Sequence, residues 1–173
     1  MKLTDSLKDI FVDKDIKKKI KFLGEISIFN NLDPGMLGRI INIAYTKVYK
    51  KGEVIFSEGE IGKAVFIVAS GSLEITKKIS EKEEGILIIL SPGDFFGEMA
   101  LLEELPRSAT ARAIENSEIY IIYKVNFDGL IEKYPQVGLK IIRNLAGILS
   151  KRLRKTSDQV TAQILESLDT KGA

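Results

Sequence analysis

Residues 96–113 read Phe-Gly-Glu-Met-Ala-Leu-Leu-Glu-Glu-Leu-Pro-Arg-Ser-Ala-Thr-Ala-Arg-Ala, and they decide how the rest of the chain is understood. Gly97 has no Cβ, so its backbone can come close to a ligand. Residues 98–102 suit one or two helical turns, and a helix start presents free N–H groups that favour an anion. Arg107, one short loop later, adds a planar fork of donors matched to a phosphate. Glu98 needs a reason to stand beside an anion site. An ionised carboxylate only accepts hydrogen bonds, and sugar hydroxyls are the simplest donors to it. Carboxylate for a ribose, guanidinium and amides for a phosphate: the segment reads as a cradle for a sugar phosphate.

The pattern continues upstream. Residues 51–56 (Lys-Gly-Glu-Val-Ile-Phe), Glu58-Gly59 with Gly62, Phe66-Ile67-Val68 and Ser70-Gly71-Ser72-Leu73 form short apolar runs punctuated by glycine. Ser91-Pro92-Gly93-Asp94 makes a turn into Phe95-Phe96. Runs of this kind between Tyr45 and Tyr123 predict an antiparallel roll, with Gly52, Gly59, Gly62 and Gly71 as turn-formers at positive φ.

These motifs together resemble the cyclic nucleotide-binding domain family, which includes catabolite activators, protein kinase regulatory subunits and gated channels. The resemblance covers about residues 29–158. It implies an α+β fold: an antiparallel double-stranded β-helix, or jelly-roll-like β-roll, flanked by N-terminal helices and a long C-terminal helix. It also implies that Gly97, Glu98, Met99, Ala100, Arg107, Ser108 and Ala109 form a phosphate-binding cassette. Ser108 is either a hydroxyl donor to the phosphate or an ordinary strand-edge serine. Ile75, Ile88, Leu90 and Phe96 are either pocket wall or plain core. In isolation, Glu98 and Arg107 also fit a surface ion pair, which contributes only about 0–1 kcal/mol.

The flanks read as helices. Leu7, Ile10, Phe11, Ile16, Ile20 and Leu23 recur at helical spacing in a segment set at residues 1–24. Asp33-Pro34 predicts a cap and first turn for a helix running to about Ala44, and Asn126 a cap for a short helix ending near Tyr134. The roll with its cassette is set at residues 25–134. Pro135 then opens a long helix within residues 135–173. Its apolar positions Ile142, Leu145, Leu149 and Leu153, then Val160, Ile164 and Leu168, predict a seam that a small roll cannot cover. A second copy in a two-fold dimer is the expected partner. The resemblance makes this helix a lid over the pocket. Thr156 and Ser157 look like the pair that touches the purine in bacterial activators, although Thr156 sits about one turn farther from Pro135. Arg152 is the alternative at that depth.

Composition narrows the function. The 173 residues carry a formal net charge of +2, too near neutral to make nucleic acid a bulk partner. There is no cysteine and no histidine. That rules out disulfides, thiolate nucleophiles, Ser-His-Asp chemistry and the histidine-bound metal of rival cupin rolls. No apolar run is long enough to span a bilayer. The expectation is therefore a cytoplasmic, non-enzymatic sensor with no cofactor and no metal. It binds cAMP, alternatively cGMP, and switches an unknown effector through its last helix. The alternative is an assembly protein with the same fold and a re-purposed pocket. Activators of the family continue into a helix-turn-helix, and nothing after Leu168 forms such a pair, so no direct DNA binding is expected. Both a stand-alone sensor and a fragment of a longer protein fit that ending.

Overall fold

The computed structural model describes the backbone of residues 3–80 and 83–169, and the side chains of residues 14–80 and 83–165. The chain opens with α1 (Leu3–Gly24), a 3₁₀ turn at Ser27–Phe29 and α2 (Pro34–Ile41). The roll follows as β1 (Ala44–Tyr49), β2 (Val54–Phe56), β3 (Ala64–Ser70), β4 (Leu73–Ser80), β5 (Glu83–Leu90) and β6 (Phe95–Phe96). After a 3₁₀ turn at Glu98–Leu101 come β7 (Thr110–Ala113) and β8 (Ser117–Tyr123), then α3 (Lys124–Lys133) and α4 (Pro135–Asp169).

Two four-stranded antiparallel sheets, ordered β1-β8-β3-β6 and β2-β7-β4-β5, pack face to face. Strand alternation divides the side chains of the first sheet between two cores. On β3, Val65 and Ile67 face the helices while Ala64, Phe66 and Val68 face the second sheet. On β8, Tyr120 and Ile122 take the helical side, and Ile119 and Ile121 the interior of the roll. A sheet covered on both faces needs unbroken apolar strands, and Val65–Val68 and Ile119–Ile122 supply them. The result is the α+β roll that the glycine-punctuated runs predict.

Several local expectations are refined. Asp33 caps α2, accepting from the Met36 amide at 2.9 Å, and Pro34 sits at its first position. The helix ends at Ile41, and Ala44 belongs to β1. α3 begins at Lys124, so Tyr123 is its N-cap and Asn126 lies inside the first turn. The N-terminal segment is one helix, with Leu23 buried against the first core. The side chains of Leu7, Ile10 and Phe11, and that of Leu168, lie outside the described residues.

The long helix departs most from expectation. Val137, Ile141 and Leu145 are at most 3% exposed and belong to the helix-side core, with Ile142, Ile148 and Leu149 packed against it. The proximal half of the stripe is therefore covered by the protein's own helix-side core, where α4 meets α3 and the 3₁₀ turn at Ser27–Phe29. From Lys151 to Leu165 every residue is exposed. Leu153 and Val160 face outward there, as Leu139 does near the start of the helix.

Candidate functional site

The cassette is held by backbone from two directions. The Arg107 amide donates to the Glu60 carbonyl at 2.7 Å, and the Gly59 amide to the Arg107 carbonyl at 2.9 Å. The Gly62 amide reaches the Leu105 carbonyl at 3.1 Å. Residues 59–62 thus lie along 105–107 and fix the arginine's Cα. Gly62 does this without positive φ, unlike Gly52, Gly59 and Gly71. Its reason is contact: a Cβ there would stand 3.0 Å from the Ala100 Cβ and 3.4 Å from the Arg107 guanidinium carbon.

Gly97 adopts φ +70°, the left-handed conformation that glycine takes without strain. This turns its carbonyl onto Arg107, whose Nη1 donates to it at 3.1 Å while Nη2 donates to the Ala64 carbonyl at 2.9 Å. A Cβ at Gly97 would meet Nη1 at 2.7 Å. The guanidinium also lies 4.2 Å from the Phe56 ring centroid and 5.4 Å from that of Phe66. Those rings cluster with Phe96 inside the roll. Five donors and two carbonyls leave N–H groups for an anion. Burial pulls the Arg107 pKa below its ordinary value, while the negative charges of Glu60 and Glu98 push it back up.

Glu98 opens the 3₁₀ turn and is 6% exposed. A buried carboxylate without a partner costs several kcal/mol. Its direct partner is Arg152 on α4, whose Nη1 donates to Glu98 Oε1, and not Arg107, which acts on it only at longer range. Nothing in the sequence signals this pair, because the two residues stand on elements far apart in the chain.

The other expected residues divide. Met99 is half exposed, while Ala100 and Ala109 are buried. The Ala100 amide donates to the Gly97 carbonyl at 3.2 Å, so that donor is already engaged. Ser108 is exposed in the bend before β7. Leu90 and Phe96 belong to the roll core, and Ile75 packs against it. Ile88, opposite Ile75 in the ladder, is 53% exposed. One turn beyond Arg152, Thr156 turns its hydroxyl back onto the Arg152 carbonyl at 3.0 Å, and Ser157 is exposed.

A fixed guanidinium beside a buried carboxylate, both set by one glycine in an antiparallel roll, defines a class of ligand-binding domain. The cyclic nucleotide-binding domain model matches residues 46–134, just over half of the chain, and the chain belongs to that family. It is a family of regulatory ligand-binding domains, not of catalysts. The chain is 34% identical over 128 residues to the Cyclic AMP receptor protein of Thermus thermophilus, covering 74% of this chain and 57% of that protein. It is also 34% identical over 110 residues to the cAMP-dependent protein kinase regulatory subunit of Debaryomyces hansenii, covering 64% of this chain and 24% of that one. The solved structure of Thermus thermophilus Catabolite Activator Protein aligns with a TM-score of 0.71 at 32% identity, covering 78% of this chain and 61% of that chain. The chain spans little more than half the length of the first of these relatives and about a quarter of the second.

Proposed function

We propose that this chain is a cyclic nucleotide sensor, with cAMP preferred over cGMP, that passes occupancy to an effector through α4. Arg107 neutralises the cyclic phosphate and Glu98 accepts from the ribose 2′-hydroxyl. The carrying observation is the convergence at Gly97: its carbonyl is gripped by the Arg107 guanidinium and its successor is the buried Glu98. One backbone turn thereby presents an anion receptor and a hydroxyl acceptor side by side. The preference for cAMP is supported by the Arg107-Ser108 and Thr156-Ser157 strings and by relatives whose names specify cAMP. A cytoplasmic setting belongs to this reading, in keeping with a chain that has no cysteine.

The distal half of α4 supports self-association as the output. Leu153, 71% exposed, and Val160, 48% exposed, lie one heptad apart on a helix that has left its own core behind. A second copy offers the matching stripe.

Ribose discrimination tests the site. A charge-assisted hydrogen bond contributes about 1.5–3 kcal/mol. Calorimetry should show at least about tenfold weaker binding of 2′-deoxy-cAMP than of cAMP. Glu98→Ala should remove most of that preference. Equal discrimination by wild type and variant would show that another residue reads the ribose.

A further inference from the structure

We propose that the groove between α2 and α3 is a second ligand site, separate from the cassette, for a small organic anion with one acidic group on an apolar body. None of its residues belongs to the cassette, so the site stands whether or not a nucleotide binds there.

The groove encloses about 430 Å³, within the roughly 300–1,000 Å³ of small-molecule sites. Ile43, just past α2, and Val125 and Leu130 of α3 give it an apolar wall. Val125 is 75% exposed, in the first turn of α3.

Arg39 and Lys133 line the same groove and converge on Tyr134. The Arg39 guanidinium carbon lies 3.8 Å from the ring centroid, and Lys133 Nζ lies 5.6 Å from it. Each residue sits in the last turn of its helix, where a cation is favoured. That accounts for each charge, but not for their meeting on one ring. The two lie within about 10 Å of each other, a Debye length at about 0.1 M salt, and they repel. Among the described residues neither makes an ion pair or a side-chain hydrogen bond. The carboxylates of these helices do not offset them. Asp33 caps α2, Asp128 accepts from Lys124 at 2.8 Å, and Glu132 does not line the groove. An anion bound between the two cations removes the repulsion.

Gly129 is the second, independent observation. It lies inside α3, where glycine is a poor helix former, and it lines the groove. A Cβ added there would meet nothing within 4 Å, so the fold itself has no packing need for glycine. What the missing side chain provides is room in the groove. Two amides complete the lining. The Asn42 side chain makes no hydrogen bond among the described residues, and the Asn126 amide reaches only the Tyr45 hydroxyl, at 3.5 Å. An apolar wall with a few convergent polar groups and uncompensated positive charge selects an amphipathic anion.

NMR titration of the labelled wild-type protein with 2-naphthoate, a fused ring system bearing one carboxylate, tests the site. Saturable amide shifts should centre on residues 39–43 and 125–134, with a Kd below about 1 mM. The uncharged 2-naphthamide should bind at least about tenfold more weakly, through loss of a charge-assisted bond. Replacing Arg39 and Lys133 together with Ala, at two exposed positions, should weaken 2-naphthoate by about tenfold or more and leave 2-naphthamide unchanged. Gly129→Leu should block both probes and melt no lower than wild type, since leucine is the better helix former and the space is open. Saturating cAMP should not displace 2-naphthoate. Equal affinity for acid and amide overturns the proposal, as does wild-type binding by Gly129→Leu or by the double variant. Shifts centred on the cassette or on the exposed Ile86–Ile89 run of β5, or no saturable shift at all, also overturn it.

Discussion

Arg107 has two roles that a single substitution separates. As a structural strut it donates to the Gly97 and Ala64 carbonyls and lies against Phe56. Each such charge-assisted bond contributes about 1.5–3 kcal/mol. The ring contact adds about 0.5–2 kcal/mol. The side chain is half-buried and water replaces part of this, so Arg107→Ala should cost about 2–4 kcal/mol of stability. For a domain of this size that corresponds to a fall of about 5–15 °C in Tm. As a phosphate receptor it should cost about 3–5 kcal/mol of binding, the usual penalty for removing one partner of a buried charged pair. That is roughly a 150- to 5,000-fold weaker Kd for cAMP. Arg107→Lys keeps the charge but cannot hold two carbonyls and a phosphate together, so it should lie between wild type and Ala. Differential scanning calorimetry measures the first quantity and titration calorimetry the second. A variant with lowered Tm and unchanged affinity would refute the phosphate assignment and leave Arg107 a strut.

Three further outcomes follow from the helices and the first core. Leu145→Ala should destabilise the fold by about 2–5 kcal/mol in denaturant titrations, because the residue is fully buried. Replacing Leu153 and Val160 together with Glu should leave stability within about 0.5 kcal/mol per site, as exposed positions allow. In sedimentation the same variant should convert a micromolar wild-type dimer to monomer; a wild type monomeric with and without nucleotide ends the dimer proposal. Burial and the nearby Glu118 hold the Tyr120 phenol above its ordinary range, against a smaller opposing pull from Lys19. The folded state then binds the proton more tightly, so this contribution is full below about pH 10 and is lost as pH rises beyond it. Tyr120→Phe should flatten that alkaline loss in thermal melts.

The roll and the tight turn at Gly97 are legible in the sequence because their requirements are local. Gly97 must lack a Cβ where another group comes close, Pro34 and Pro135 suit the first turn of a helix, and the apolar runs of β3 and β8 fit a sheet covered on both faces. The long helix misled. Its 3.6-residue period marks Leu145 and Leu153 as one stripe, but periodicity does not say what covers a face. The helix-side core covers Leu145, and Leu153 lies beyond it. The sequence marks Gly62 as a turn-former, but its constraint is the nearness of Ala100 and Arg107 across the fold. The Glu98–Arg152 bridge was illegible for the same reason: only the return of α4 over the cassette brings the two together.

The central claim is that the site formed by Gly97, Glu98 and Arg107 receives a cyclic nucleotide. Titrating the folded wild-type protein with cAMP in a calorimeter tests it most directly. Saturable binding at one nucleotide per chain, weakened by Arg107→Ala, is the expected result. The absence of saturable heat with both cAMP and cGMP, in protein shown to be folded, would contradict it.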